Sequence, residues 1–381
     1  MTERKLASLQ RVAGIQPIEG ADAIVLSKVL GWSVITKLDE VQEGDTVVFL
    51  EIDSLIDPDC RWLPESFRKY APTRKRKRRR LYHLRTFRLN KFGVISEGLI
   101  VPLSLFPEDT VAEFSSLEIG TDLTSRLRIE KYEPPIFVGR GGGTLCETKA
   151  FPLKLLSKTG EVRVKSEPHL LEQLVGHPAY ATLKYDGTSA TYLLTPPNYK
   201  PRPQEFFVCS HNLLLLRPAK IEHCSSSQPY WPIALQYELE AKLRAYQERT
   251  GRYLALQGEI CGPKIQRNLL GLAKRSFYVF NVIELDDGEQ PTMGRRLPYP
   301  QWLDICQELD LPHVQIEMVW DSFPADISIE QLEEMSKGFY EGTENHREGL
   351  VFREQDTPTA PLFKSISFKV ISADYRLMVK M

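Results

Sequence analysis

The sequence predicts an α+β domain preceded by a small β-barrel, and three observations support this prediction. Short β-like runs, separated by turn residues, fill roughly the first 125 residues, with little helical periodicity. From Phe151 onward, candidate strands and helices mix without the regular βαβ alternation of a doubly wound sheet. Between these regions lies a stretch rich in proline and glycine. We therefore expect a first domain at 1–130, a linker at 131–150 and a second domain at 151–381.

The N-terminal region consists of apolar runs of strand length divided by turns. Turn residues occur at 43–45 and around Pro58. The strand candidates are AIVLSKVLGWSVIT, DTVVFLEI and FGVISEGLIVPL. The stretch at 131–145, KYEPPIFVGRGGGTL, has two prolines and three consecutive glycines, which is typical of a linker. A phosphate-binding role for the glycines at 141–143 would need a strand-to-helix context that this stretch lacks.

The second region mixes strands and helices. Apolar residues near helical spacing predict a surface helix from Ile233 to Tyr246, ending at Gly251. Ser328 with Gln331 resembles a capping box, which predicts another helix start. The strand candidates are ATLKYDGTSATYLL, EFFVCS, RYLALQGEIC, FYVFNVIEL, EGLVFRE and SISFKVIS.

Composition argues against several classes of protein. The 381 residues are 42% hydrophobic and 26% charged, as in ordinary globular proteins. No run approaches the roughly 18 apolar residues that a membrane span needs, and the first residues lack the apolar stretch of a signal peptide. The six cysteines form no C-x-x-C pair, which argues against a closed zinc site or a disulfide framework. We expect an intracellular protein without a membrane partner, in nucleus or cytoplasm.

One strongly basic run stands out in a chain whose net charge is only −1. Such a run can release counterions from a nucleic-acid backbone. It is equally compatible with a solvated loop or a nuclear-import signal. The candidate nucleic-acid contacts are Arg74, Lys75, Arg76, Lys77, Arg78, Arg79 and Arg80.

Lys184 is a candidate nucleophile because it begins the pattern K-x-D-G. A lysine amine attacks only after losing its proton, and nearby cations or desolvation favour that loss. Asp186 supplies an acidic group, and Gly187 allows the backbone a tight turn beside a nucleotide. Taken alone, the pattern more often belongs to an exposed lysine before an ordinary turn.

Four further residues follow Lys184 at strand-like positions. Glu259 leaves an apolar strand for a Gly-Pro turn, and Phe280 lies within a β-branched run. Glu348 precedes a glycine at a strand start, and Lys369 stands among apolar residues. Each has an ordinary structural explanation, as an edge acid, core aromatic, turn acid or exposed strand lysine. Their order and spacing within one domain carry the functional signal.

The series KYDG, QGEICG, YVFNVIE, EGLVF and SFKVIS resembles motifs I, III, IIIa, IV and V of the covalent nucleotidyltransferases, which include RNA ligases, DNA ligases and mRNA capping enzymes. Within that superfamily, QGEICGPKIQRN is most similar to RNA ligases. The N-terminal region resembles the OB-fold domain of an RNA ligase branch that seals nicks in duplexes. The resemblance implies a nucleotidyltransferase domain, with ATP-grasp-like antiparallel sheets and helices, preceded by an OB-fold domain.

The resemblance also implies roles for individual residues. Lys184 would attack the α-phosphate of ATP, release pyrophosphate and carry AMP to a 5′-phosphate end, which a 3′-hydroxyl then joins. Mg²⁺ or Mn²⁺ would be held by few carboxylates and several waters. This metal and a second lysine would favour the neutral form of Lys184. The implied roles are metal binding for Asp186 and Glu348, ribose binding for Glu259, adenine stacking for Phe280 and α-phosphate neutralisation for Lys369.

Several positions depart from the family pattern. Leu183 replaces a glutamate that often precedes the nucleophile, and His211 stands where an arginine is usual. A protonated His211 could still contact phosphate. Ser367 occupies the first place of the usual K-x-K in motif V, a loss for which Lys364 could compensate. The element KTGE at 158–161 lacks an aspartate found in relatives. These changes predict an altered substrate preference or a weaker ligase.

Three functions stay open at this point. The first is an ATP-dependent RNA ligase, active as a monomer on nicked duplexes whose 3′-hydroxyl strand is RNA. The second is a capping-type guanylyltransferase or DNA ligase. These generally place an OB domain after motif V, whereas only about ten residues follow Lys369 here. The third is a non-enzymatic module that binds nucleic acid through the basic run.

Overall fold

The computed structural model describes residues 4–76, 79–132, 147–200, 203–218, 221, 228–288, 292–356 and 365–379. Several predicted features lie outside these residues. They are the greater part of the linker with its triple glycine, Lys77, Arg78, Lys364 and the side chains of Lys75 and Arg76.

The chain forms two compact units. The N-terminal unit contains the described residues within 4–132, 162–169 and 373–379. The larger unit contains those within 147–161 and 170–372. Two short segments, 162–169 and 373–379, belong to the N-terminal unit although they lie in the sequence range proposed for the second domain, 151–381.

The N-terminal segment is built from short strands and two helices, with a 3-10 turn at Leu103–Leu105. The strands are β1 (Ala7–Arg11), β2 (Gly14–Pro17), β3 (Ile24–Val29), β4 (Trp32–Lys37), β5 (Thr46–Leu50), β6 (Ser54–Ile56), β7 (Thr73–Arg76), β8 (Arg79–His83), β9 (Phe87–Leu89), β10 (Val94–Ser96), β11 (Leu99–Pro102) and β12 (Glu130–Lys131). The helices are α1 (Glu65–Tyr70) and α2 (Glu108–Ser115).

Alternating burial explains why the predicted N-terminal runs form strands. In β3 and β4, every second side chain is buried, which is the pattern of a sheet with one face on a core. The turn predicted at 43–45 joins β4 to β5, and Gly44 there has φ of 88°, a conformation that glycine adopts without strain. The strand orders are β1-β5-β11, β2-β3-β4, β12-β6-β8-β7 and β10-β9.

The N-terminal unit contains a buried charge cluster around Trp32. Glu97 accepts hydrogen bonds from Lys165 and Arg376, and these three residues are at most 5% exposed. The Lys165 ammonium and the Arg376 guanidinium lie 5.3 and 5.6 Å from the Trp32 ring centroid. Arg163 pairs with Asp53 at 2.8 Å. Buried charges are tolerated when paired in this way.

The remaining elements follow in chain order. The strands are β13 (Thr148–Ala150), β14 (Val162–Arg163), β15 (Ala179–Lys184), β16 (Thr188–Leu194), β17 (Phe206–Ser210), β18 (Leu213–Leu215), β19 (Tyr253–Cys261), β20 (Ser276–Leu285), β21 (Arg295–Arg296), β22 (Ile316–Trp320), β23 (Gly349–Glu354) and β24 (Ser367–Ile371). The helices are α3 (His169–Leu174), α4 (Tyr230–Gln236), α5 (Leu239–Thr250), α6 (Gln301–Glu308), α7 (Ile329–Ser336) and α8 (Ala373–Val379).

Two antiparallel sheets organise the larger unit. The first has the order β13-β18-β17-β16-β19-β20-β21. In the second, β23 lies between β24 and β15, and β22 lies beyond β15. Almost every residue of β15 and β19 is buried, so neither strand shows the strict alternation of apolar and polar residues that a half-exposed strand has. All six predicted strand regions of this unit are observed.

The helices differ from the prediction at one point. The helix expected from Ile233 to Tyr246 is two helices, because Glu238 takes a left-handed conformation with φ of 52° and interrupts it. Gly251 ends the second of them, as predicted. The capping box of Ser328 and Gln331 is confirmed at the start of α7. Within the described residues, none of the helices has the length and apolar character to cross a bilayer.

Candidate active site

Lys184 is the last residue of β15, where a buried strand opens into a half-buried turn. The neighbouring strand β23 begins directly after Glu348, and Lys184 pairs in register with Gly349. The end of one strand therefore meets the start of the next, and this brings motifs I and IV together although they are separated widely in the sequence.

Glycines allow the motif strands to approach closely. A Cβ on Gly187 would lie 2.4 Å from the carbonyl oxygen of Ile260 and 2.8 Å from Cγ of Glu259. A Cβ on Gly349 would lie 2.0 Å from the carbonyl oxygen of Val370. All three distances are shorter than a van der Waals contact. The glycines of K-x-D-G and E-G are thus required by packing beside the acidic residues.

Lys184 forms an ion pair with Glu348. Its Nζ atom lies 2.8 Å from Oε2 of Glu348, and the side chains are 25% and 14% exposed. Burial disfavours the ammonium, but the carboxylates of Glu348, Glu259 and Asp186 outweigh it and raise the pKa of Lys184 above its ordinary value. The protein groups that act on Lys184 are therefore mainly acidic. The sequence instead predicts electropositive surroundings, supplied by a metal ion and a second lysine.

Glu259 is the most perturbed acid of this cluster. Burial, together with the charges of Glu348 and Asp186, raises the pKa of Glu259 to about 8 although Lys184 opposes the shift. Glu259 therefore carries a proton for much of the time near neutral pH, and a protonated carboxyl can donate as well as accept a hydrogen bond. This property suits a contact with hydroxyl groups.

Phe280 is half-buried on β20 and has a cationic neighbour. The guanidinium carbon of Arg353 lies 5.9 Å from the Phe280 ring centroid. Arg353 also pairs at 3.0 Å with Glu161, and the hydroxyl of Ser367 donates to Glu161 at 2.5 Å. The two sequence departures at 158–161 and 367 are therefore linked to each other through the Glu161 carboxylate.

His211 lies beside the strand pair that carries Glu259. The Thr159 hydroxyl is 3.1 Å from Nδ1 of His211 and 2.6 Å from the hydroxyl of Ser189. Ser189 pairs in register with Glu259. Thr159 thus links His211, which follows β17, to Ser189 near the start of β16 in the first sheet.

Lys369 lies half-buried on β24, where it pairs in register with Val351. It therefore belongs to the same sheet as Lys184. Within the described residues, no group of three or more histidine, cysteine or acidic side chains is arranged to hold a metal ion. The oxygen donors of Asp186 and Glu348 still suit a hard divalent cation that keeps most of its waters.

Sequence reasoning missed Tyr340, Arg353 and Glu161. The Tyr340 hydroxyl contacts the backbone of Lys184, Asp186 and Glu348. Tyr340 lies in a turn between α7 and β23, and a tyrosine in a turn gives no sequence signal for such contacts. Glu161 could have been singled out as the acid of the KTGE element.

The described part of the basic run forms a hairpin of β7 and β8 in the N-terminal unit. Arg79 there pairs with Asp57 and with Glu130. The Arg74 guanidinium lies 5.1 Å from the Tyr132 ring centroid, and Arg80 is exposed. Contact of this run with nucleic acid stays a prediction.

Two family models match this chain. The RNA ligase family model matches residues 177–371, which is more than half of the chain. A model of an OB-fold domain matches residues 6–103. No curated protein matches the chain.

Several solved structures of Naegleria gruberi RNA ligase are similar over nearly the whole chain. A glutamate-to-alanine variant with ATP and Mn has a TM-score of 0.80 and 30% identity, covering 99% of this chain and 100% of that one. A lysine-to-alanine variant with ATP and Mn has a TM-score of 0.77 and 31% identity, covering 99% and 98%. The ligase with PPi has a TM-score of 0.78 and 30% identity, covering 99% of each chain.

These matches confirm the predicted fold class, an α+β nucleotidyltransferase domain preceded by an OB-fold domain. Of the three functions left open by the sequence, the matches support the first, an RNA ligase. The chain belongs to the RNA ligase family.

Proposed function

We propose that this protein is an ATP-dependent RNA ligase that seals 3′-hydroxyl and 5′-phosphate ends through a lysyl-AMP intermediate on Lys184. The observation that carries this proposal is the cluster of Lys184, Glu348, Glu259 and Asp186, whose charges act on one another at the meeting of motifs I, III and IV. Solved structures of similar ligases with ATP and Mn support the choice of nucleotide and metal.

The first step forms a phosphoramidate bond between Lys184 and AMP. The amine of Lys184 attacks the α-phosphorus of ATP, the bond from that phosphorus to the bridging oxygen breaks, and pyrophosphate leaves with its electron pair. Lys184 must first give up the proton that its ion pair with Glu348 stabilises. The charge on Glu348 and Asp186 must therefore be compensated as ATP binds.

A divalent cation, Mg²⁺ or Mn²⁺, bound near Asp186 and Glu348 would supply that compensation and neutralise phosphate charge. Asp186 and Glu348 would hold the ion mainly through its waters. Glu259 would bind the ribose hydroxyls, Phe280 would stack on adenine, and Lys369 would neutralise charge on the α-phosphate. Gly187 would let the turn approach the nucleotide, and His211 would contact a phosphate.

Two further steps complete the reaction. A 5′-phosphate oxygen attacks the phosphorus of lysyl-AMP, which releases Lys184 and forms an adenylylated end. A 3′-hydroxyl then loses its proton and attacks the phosphorus of the original 5′-phosphate. The bond from that phosphorus to the AMP oxygen breaks, AMP leaves, and the two strands are joined. We propose a nicked duplex with an RNA 3′-hydroxyl strand as the substrate and a monomer as the active form. The basic run at 74–80, with Arg80 exposed, would contact the strand backbone.

Incubation with α-labelled ATP and Mg²⁺ or Mn²⁺ tests the first step. We expect covalent label on the wild-type protein and none on Lys184→Ala. Lys274→Ala is a matched control, because Lys274 is an exposed lysine of the same unit and is not one of the candidate site residues. Equal labelling of Lys184→Ala and wild type would contradict the assignment, and stronger labelling by GTP would favour capping chemistry.

A nicked duplex tests the substrate. The same nick is prepared with a 3′-hydroxyl strand that ends in ribose or in deoxyribose, because the 2′-hydroxyl distinguishes RNA from DNA. We expect faster sealing of the ribose end. Equal rates on both ends would remove the specificity for RNA while leaving the ligase chemistry intact.

A further inference from the structure

Tyr340 is a buried tyrosine, 3% exposed, in the turn that leads from α7 to β23. Its backbone N–H donates to the carbonyl of Asn345 at 3.0 Å. The Asn345 side chain in turn donates to the carbonyl of Leu269 at 2.9 Å. Hydrogen bonds therefore connect this turn to the segment around Leu269 and hold the backbone of Tyr340 in place.

The Tyr340 hydroxyl makes three hydrogen bonds, all to backbone groups of candidate site residues. It donates to the carbonyl oxygen of Lys184 at 2.8 Å. It accepts from the N–H groups of Asp186 and Glu348, each at 3.1 Å. A phenol oxygen has one proton to donate and can accept hydrogen bonds, so this hydroxyl is fully used.

The contacts of the Tyr340 hydroxyl lie where β15 and β23 stop pairing. The register between β15 and β23 ends at the pair Lys184 and Gly349. Beyond that pair, the carbonyl of Lys184 and the N–H of Glu348 are bridged through the Tyr340 oxygen instead of by a further strand pair. The phenol oxygen therefore fixes how the two chain segments separate around the nucleophile and its acidic partner.

We propose that Tyr340 is a positioning residue for lysyl-AMP formation, which sets the placement of Lys184, Asp186 and Glu348 without contacting the reacting atoms. This inference rests on the proposed function. It follows from the three contacts because one oxygen controls the backbone of the nucleophile and of both proposed metal-binding acids. A change there alters the geometry of all three side chains together.

The substitution Tyr340→Phe removes the hydroxyl and keeps the ring. We expect the rate constant of lysyl-AMP formation, measured in a single turnover at saturating ATP, to fall by about 10- to 100-fold, because small misplacement of a reacting group is costly. We expect the Kd for ATP to change by less than about threefold, and half-maximal rate to need at least about threefold more Mn²⁺.

Tyr253→Phe is the matched control. Tyr253 is a buried tyrosine, 4% exposed, at the far end of the strand that carries Glu259, and its hydroxyl accepts from the Gln204 side chain at 3.3 Å. A purely structural effect of losing a buried hydroxyl would appear in both variants. Equal rate constants for Tyr340→Phe and Tyr253→Phe, or a loss of ATP affinity as large as the loss of rate, would overturn the proposal.

A second measurement reads the geometry without catalysis. Competitive acylation followed by mass spectrometry gives the reactivity of Lys184 relative to the exposed Lys274 in each variant. We expect Tyr340→Phe to change this ratio by at least about threefold, since it loosens the Lys184–Glu348 pair, whereas Tyr253→Phe leaves it unchanged. An unchanged ratio in Tyr340→Phe would count against the positioning role.

The outcomes separate this inference from the proposed function. If Lys184→Ala labels as strongly as wild type, the proposed function fails, whatever Tyr340 does. If wild type labels, Lys184→Ala does not, and Tyr340→Phe matches Tyr253→Phe, the proposed function stands and the role of Tyr340 fails.

Discussion

Nζ of Lys184 and Oε2 of Glu348 lie 2.8 Å apart, so the proposed nucleophile is an ion-paired ammonium held by the proposed metal-binding acid. This pairing keeps Lys184 protonated, and therefore unreactive, until the charge of Glu348 is compensated. The same carboxylate that raises the pKa of Lys184 would be drawn away when a cation binds it. Nucleotide and metal binding would thus release the amine for attack.

This ion pair predicts the chemical reactivity of Lys184 without added nucleotide or metal. The raised pKa leaves little neutral amine near pH 8, so acylation of Lys184 should be slow relative to Lys274. Glu348→Gln removes the carboxylate, and we expect the relative reactivity of Lys184 to rise by about tenfold for each unit by which its pKa falls. Competitive labelling and mass spectrometry measure the ratio. A ratio unaffected by Glu348→Gln would contradict the coupling.

The raised pKa of Glu259 predicts a loss of stability at alkaline pH. The folded value of about 8 exceeds the ordinary value of 4.5, so the stabilisation is complete below about pH 4.5 and is lost as the pH rises through 8. Between pH 7 and pH 9 the free energy of unfolding of wild type should fall by about 1 kcal/mol more than that of Glu259→Gln. Urea unfolding at both pH values measures this. Parallel changes in the two proteins would exclude a titrating Glu259.

The buried charges around Trp32 predict a large effect of Glu97→Gln on the N-terminal unit. The substitution leaves Lys165 and Arg376 buried without their carboxylate, which should destabilise this unit by about 3–5 kcal/mol. Thermal unfolding measures the change. Glu113→Gln, which removes an exposed carboxylate paired with Arg126, should leave the melting temperature unchanged.

Glu97 also predicts acid sensitivity. Although burial disfavours its charge, Arg376 and Lys165 lower the pKa of Glu97 to about 2. A lowered folded pKa contributes stability above the unfolded value of about 4.5, and this is lost as the pH falls from there towards 2. Wild type should therefore lose stability over this range more steeply than Glu97→Gln. An equal acid response of both would mean that Glu97 is not ionised in the folded protein.

Gly187→Ala should disturb the site through packing. The added Cβ would meet the carbonyl oxygen of Ile260 at 2.4 Å, and backbone cannot yield as a flexible side chain can. We expect a loss of about 1–3 kcal/mol in stability and a strong loss of AMP labelling. Gly14→Ala is the control, because a Cβ there has nothing within 4 Å. Full labelling of Gly187→Ala would show that the strands have more room than the structure indicates.

Most of the fold could be predicted from sequence, and candidate site residues could be proposed from it, because these signals are local or ordered along the chain. Short apolar runs gave the strands, and the order of five motifs singled out Lys184, Glu259, Phe280, Glu348 and Lys369. The break at Glu238 could not be predicted, since apolar spacing continues through it. The roles of Tyr340 and Arg353 could not be predicted either, because their contacts join segments far apart in the chain.

The sequence by itself determined the residue types of the site, the two-part organisation and membership of the ligase superfamily. Only the tertiary structure decided the electrostatics of Lys184. Its pKa depends on distances to Glu348, Glu259 and Asp186, which are set by strand register, by close approach at Gly187 and by the bridge through Tyr340. Charge interactions depend on separation and burial, and a linear sequence specifies neither.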